Sequence, residues 1–265
     1  MLKTKIRMFN ISSVNAENGS FKSKINVSLP DLSFHYEHIQ NVYLSVDHCE
    51  VPNSFYIVNY TNNQIVIDNI IYIVPVGNYN VNSIITVLQA ILPTGFIITY
   101  DLITNKFKFN YTTTYAINAN SKNSTINKVL GLGNSALLSD VAYNIYLPYM
   151  VNFLPIPRIN FRSNFFMFDN YSTSDGSSNI FLPLQNNTGQ LSMINYINQT
   201  QIQYLIQDRS ITNFIITVTN DDGALLNFND IDWTMTLLIK IEYYDYSTQE
   251  TNNFKTIINT NNNIE

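Results

Sequence analysis

The stretch WTMTLLIKIEYY, Trp233 to Tyr244, sets the frame. Trp233, Met235, Leu237, Ile239 and Ile241 fall on one side of an extended chain, while Thr234, Thr236, Lys240 and Glu242 take the other. A period of two over this length is the mark of a half-buried strand and is incompatible with a helix. Runs of the same texture recur. Ile39 to Asn59 reads as two strands flanking a turn at Pro52-Asn53. Gln64–Ile67 and Ile70–Pro75 form a hairpin about Asp68-Asn69, its second arm apolar on both faces and therefore expected to be buried. Ile159–Phe168, Ile180–Leu184, Ser192–Ile197, Ile202–Ile206 and Asn213–Thr219 follow, separated by Asn, Gly and Ser clusters. About eight sheet-forming strands with no βαβ rhythm and no fixed repeat exclude Rossmann and TIM architectures. The expected fold is mainly β, a single jelly-roll β-sandwich.

One segment breaks the pattern. Val81, Ile84, Ile85, Leu88 and Ile91 or Leu92 recur at three and four residues, predicting a helix capped by Asn80 or Asn82 and stopped by Pro93 and Gly95. Phe96–Leu102 and Lys106–Tyr111 then alternate around Thr104-Asn105, a hairpin. A short helix over 124–130 ends at Gly131-Leu132-Gly133, where glycine supplies the left-handed residue. Helix, hairpin and helix together predict an inserted α+β subdomain over 77–142. The sandwich then takes 31–76 and 143–247, between a basic N-terminal arm (1–30) and a loose polar tail (248–265).

Charge narrows the function classes. Only 12% of residues are charged and the net charge is −5, so neither a nucleic-acid-binding domain nor a strongly self-repelling monomer is indicated. The bases Lys3, Lys5, Arg7, Lys22 and Lys24 nevertheless precede Pro30 with Glu17 as the only acid among them. Cys49 is the only cysteine, which excludes an intrachain disulfide and suits synthesis in a reducing cytoplasm. No uninterrupted apolar run reads as a signal peptide or membrane span.

Candidate chemistry is sparse. His35, His38 and His48 lie near Cys49 and Glu50, but His48 and Cys49 are adjacent in a strand and point to opposite faces, so a zinc set does not assemble. Asp221-Asp222-Gly223 lacks calcium-loop spacing and reads as a turn. There is no G-x-S-x-G elbow, and Cys49 lacks a base held by a third group, since the adjacent His48 does not easily reach around its own strand. No catalytic, metal or cofactor site and no small-molecule substrate are expected.

The order of VYLSVDHCEVPNSFYIVN, VPVGNYNVNSIITVLQAIL, ITYDLITNKFKF, VLGLG and ITNFIITVTNDDGALLNFNDIDWTMTLLIKIEY resembles the minor capsid and penton proteins of virophages and polinton-like viruses. The resemblance spans most of Ile39–Tyr244. It implies a single jelly roll with an outer insert, assembled as homo-pentamers at the vertices of a virion whose shell is a double-jelly-roll major capsid protein. On that expectation Tyr143, Tyr146, Tyr149, Phe153 and Phe165 are candidate subunit-interface anchors, having large area and, in tyrosine, polar tips. The arm bases would face the shell interior, meeting packaged DNA or an internal membrane. Another shell or cement protein, a carbohydrate-binding β-sandwich for host attachment, and a metal-dependent cupin enzyme are the competing readings; the scarcity of histidine disfavours the last.

Overall fold

Alternating burial along the strands decides where the core lies. The computed structural model describes residues 2–33, 39–154, 156–164, 179–206 and 210–244. Along the chain, β1 (Leu2–Ser12), β2 (Lys24–Ser33) and β3 (Ile39–Pro52) come first. Then follow β4 (Gln64–Ile67), β5 (Ile70–Ile73), α1 (Val81–Ile91), β6 (Ile97–Asp101), β7 (Lys106–Asn110) and β8 (Ala116–Ile117). Next are α2 (Asn127–Leu130), β9 (Leu137–Leu138) and β10 (Asn144–Tyr146). Last come β11 (Arg158–Ser163), β12 (Ile180–Gln185), β13 (Met193–Ile197), β14 (Tyr204–Ile206), β15 (Ser210–Thr219) and β16 (Thr234–Tyr244). The fold is mainly β, in several antiparallel sheets.

The chain divides into two compact units, one of Met1–Ser54 with Arg158–Glu265 and one of Phe55–Pro157. The first unit holds two sheets, of order β1-β16-β3-β13 with β14 also on β3, and β12-β11-β15-β2. Their buried faces meet around Trp233, whose ring stands edge-on to Phe161 at 5.0 Å, with Phe161 in turn against Phe181. Met235, Leu237, Ile239 and Ile241 of β16 and Val42, Leu44 and Val46 of β3 are all buried, so the alternation read from the sequence is the core face of the sheet. The arrangement is compatible with a β-sandwich.

A polar corner locks this unit where the strands end. Ser13 N–H donates to the Trp233 carbonyl (3.0 Å), Trp233 N–H donates to Ser13 Oγ (2.9 Å), and the indole N–H reaches the Lys22 carbonyl (2.8 Å). Ser23 Oγ donates to the Leu226 carbonyl and Ser54 Oγ to that of Phe228. Asn53, buried just past the end of β3, donates from Nδ2 to the Thr188 and Gly189 carbonyls and accepts from Asn186 Nδ2. Pro52-Asn53 therefore ends β3 without opening a second strand: in 55–59 only Val58 pairs, in a bridge to Gly77.

The second unit carries two sheets, β10-β7-β6 and β5-β4-β8-β9, with α1 on top. Helix α1 begins at a reciprocal capping box between Asn80 and Ser83, and buries Ile84 and Leu88. Phe107 and Phe109 of β7 point into the same core, where Phe96 stacks on Tyr111 at 4.2 Å and meets Tyr115 edge-on. Gly131 (φ +81) closes α2; a Cβ there would overlap the Tyr149 carbonyl oxygen and lie 2.7 Å from that of Met150. Two expectations are corrected here. The unit runs over 55–157 in place of 77–142, because β10 pairs with β7 and the Val58–Gly77 bridge ties in the preceding loop. In β5, Ile70, Ile71 and Ile73 are exposed, because the strand lies at the free edge of its sheet.

Candidate interaction surfaces

The basic segment 1–30, expected as a loose arm, is built into the first unit. Strand β1 pairs with β16 along its whole length, from Leu2 opposite Tyr244 to Ser12 opposite Thr234. Lys3, Lys5 and Arg7 share the side of the strand on which Phe9 and Ile11 turn inward, and Ile11 is buried. Charges on the inward side of an edge strand are a known guard against edge-to-edge pairing. Lys22 and Lys24 are engaged within the unit: Lys22 Nζ lies 3.2 Å from Asp232 and 3.5 Å from Asp230, and Lys24 Nζ 2.9 Å from Glu17. Hydrogen bonding to Asp232 holds the Lys22 amine above its ordinary range, and that from Lys24 holds the Glu17 carboxyl below its own.

The outward side of the same sheet is mixed, with exposed apolar side chains set among Thr4, Asn10, Thr236, Glu242 and Glu50. Ile6 and Met8 are exposed on β1; Met8 stands opposite Leu238 and Ile6 opposite Lys240. Lys240 lies opposite Tyr43, with its ammonium 5.3 Å from the ring centre, and Tyr43 lies opposite the exposed Leu205. Exposed Ile197 and Met193 extend the face along β13. Lys240 is matched on this face by Glu242 at 2.7 Å, and His48 lies 3.2 Å from Glu50, an ion pair only when the imidazole is protonated. A sheet face with exposed Ile6, Met8, Leu205, Met193 and Ile197 among hydrogen-bonding side chains has the mixed character of a protein–protein contact. The signal was present in LKTKIRMFNIS, where alternate positions are apolar, but the cations on the opposite side disguised it.

The aromatic candidates are placed differently from expectation. Tyr143, Tyr146, Tyr149 and Phe153 belong to the second unit, not to the sandwich. Tyr143, in the left-handed region (φ 60), Tyr146 and Tyr149 are exposed, whereas Phe153 packs half-buried against the core of its own unit. They do not form one patch: Tyr143 closes the turn before β10, while Tyr149 lies beyond its far end. Phe165 lies outside the described residues, as do His35 and His38.

Reactive groups are dispersed. Cys49 is fully buried on the core face of β3 and burial pushes its thiol far up, out of the reactive range. His48 stands on the opposite face, as adjacent strand residues must. Asp221 takes a hydrogen bond from Asn160 Nδ2 (3.1 Å) in a turn closed by Gly223 (φ +80). Among the described residues no three His, Cys, Asp or Glu side chains gather as metal ligands, and no helix is long and apolar enough to cross a membrane. No family model matches the chain, and a search of curated proteins finds none similar to it.

Proposed function

We propose that this chain is a structural capsid protein of a virion and not an enzyme: a single jelly roll with an inserted α+β unit, forming pentamers at icosahedral fivefold vertices. Strand order carries the reading. With β13 and β14 counted together, the described residues of the first unit form eight strands in chain order: β1, β2, β3, β11, β12, β13/β14, β15 and β16. One sheet runs first, eighth, third, sixth, and the other second, seventh, fourth, fifth. That is the interleaving expected of two Greek keys wound into a jelly roll. The second unit is inserted between the third and fourth strands.

The mixed outer face of β1, β16, β3 and β14 supplies the subunit contact in this proposal. One face meeting a different face on the next copy gives a heterologous interface that closes into a ring. The shell around the ring is a double-jelly-roll major capsid protein, and packaged DNA or an internal membrane would meet the chain at the N-terminal end of β1, where Lys3 and Lys5 stay exposed on its inward side and Arg7 is half-buried. Ile6→Glu combined with Leu238→Glu places two carboxylates in that face without touching the core. Sedimentation of the wild-type chain is expected to shift from monomer to ring with rising concentration, while the variant stays monomeric at an unchanged melting temperature. A variant that assembles like wild type contradicts this contact.

A further inference from the structure

The turn between β6 and β7 is rigid, yet it presents aliphatic side chains to water. Asp101 organises it: Oδ1 accepts from the Ile103 N–H (2.9 Å), Oδ2 from the Thr104 hydroxyl (2.8 Å), and its carbonyl from the Asn105 N–H (2.8 Å). The Tyr100 hydroxyl donates to Asn105 Oδ1 (2.8 Å). The Ile103 N–H and the Thr104 hydroxyl hold the Asp101 carboxyl below its usual range. At the tip Leu102 and Ile103 are 83% and 91% exposed. The hydrogen bonds fix the backbone of the turn, and neither aliphatic side chain at its tip contributes burial to the core of the unit.

The surroundings have one chemical character. Val151 N–H donates to the Asn105 carbonyl (2.9 Å) and Lys106 Nζ to that of Pro148 (2.6 Å), which brings the segment carrying the exposed Tyr149 and Met150 alongside the turn, with the Tyr149 ring lying against Gly133. Behind it a groove of about 320 Å³ is lined by Thr99, Asp101, Thr104, Lys106, Lys108 and Tyr146, with the Lys108 ammonium 5.1 Å from the Tyr146 ring centre. The second unit has four lysines (106, 108, 122, 128) and three aspartates (68, 101, 140) in a chain that is acidic overall. Asp101 and Asp140 accept backbone N–H bonds within their own turns and Asp68 accepts one from Ala116 of β8; the Lys108 charge helps to hold the Asp140 carboxyl down, but no salt bridge joins Lys106 or Lys108 to a carboxylate among the described residues.

We propose that this tip docks on an anionic phospholipid surface, with Leu102 and Ile103 entering the acyl boundary, Tyr146 and Tyr149 at headgroup depth, and Lys106 and Lys108 facing the phosphates. Aliphatic insertion, interfacial aromatics and snorkelling lysines are the three elements that hold a protein on a bilayer without spanning it. The proposal is independent of the pentamer, since every residue named lies in the second unit of one chain.

Flotation of the full chain with phosphatidylcholine vesicles, with and without phosphatidylserine, tests it. The chain is expected to float with the serine-containing vesicles. Leu102→Asp with Ile103→Asp should abolish flotation. Lys106→Gln with Lys108→Gln should weaken it about fivefold per lysine, the equivalent of ~1 kcal/mol for each basic side chain near an anionic surface. Circular dichroism melting of both variants should match wild type, and if the tip variant fails to fold the lysine pair decides. Wild type absent from both vesicle fractions, binding to heparin without binding to vesicles, or variants that float like wild type would overturn the proposal.

Discussion

Trp233→Ala is expected to remove about 3–5 kcal/mol of folding free energy, the cost of emptying a buried aromatic site. The indole is fully buried against Phe161 and spends its N–H on the Lys22 carbonyl. It also stands next to the Ser13 corner, where β16 starts and β1 ends. Trp233→Phe should cost less, keeping part of the packing and leaving the Lys22 carbonyl without its partner, a loss of about 1–3 kcal/mol. Trp233 is the only tryptophan, so urea unfolding must be followed by circular dichroism and not by indole fluorescence. A midpoint unchanged in the alanine variant would show that the two sheets do not close on this residue.

Removing 2–12 separates the observed strand from the expected arm. A loose arm can be cut with the fold intact. A strand paired along β16 cannot: Ile11 and the half-buried Phe9 leave the core, worth about 3 kcal/mol together, and the backbone edge of β16 is uncovered beside Leu237 and Ile239. Against a typical margin of about 5–15 kcal/mol, the truncated chain is expected to melt well below wild type and to be cut faster by protease. Identical melting curves would contradict the role of β1 as a strand.

Local periodicity made much of this fold legible. The stripe of α1 from Val81 to Ile91, the β6–β7 hairpin, the left-handed Gly131 and the alternation after Trp233 all follow from neighbouring residues. Distant pairing escaped it. Leu2 meets Tyr244 across nearly the whole chain, and the cations of β1 occupy inward positions where a strand ordinarily shows apolar residues. The run at Ile70–Ile73 reads as buried because both its faces are apolar, yet nothing local says that it will lie at an edge. The limits of the second unit depend on β10 meeting β7, a pairing between segments with no shared pattern. Tyr143, Tyr146 and Tyr149 are exposed, but the unit to which they belong was not legible from their neighbours. The mixed outer face of β1 and β16 emerges only when the register is known.

Native mass spectrometry of the purified full chain tests most directly whether this molecule is built to assemble. The account predicts a closed species of about 152 kDa, five times the 30.4 kDa chain, growing at the expense of monomer as concentration rises. A spectrum holding only the 30.4 kDa monomer at every concentration, or a dominant dimer with twofold symmetry, would contradict it.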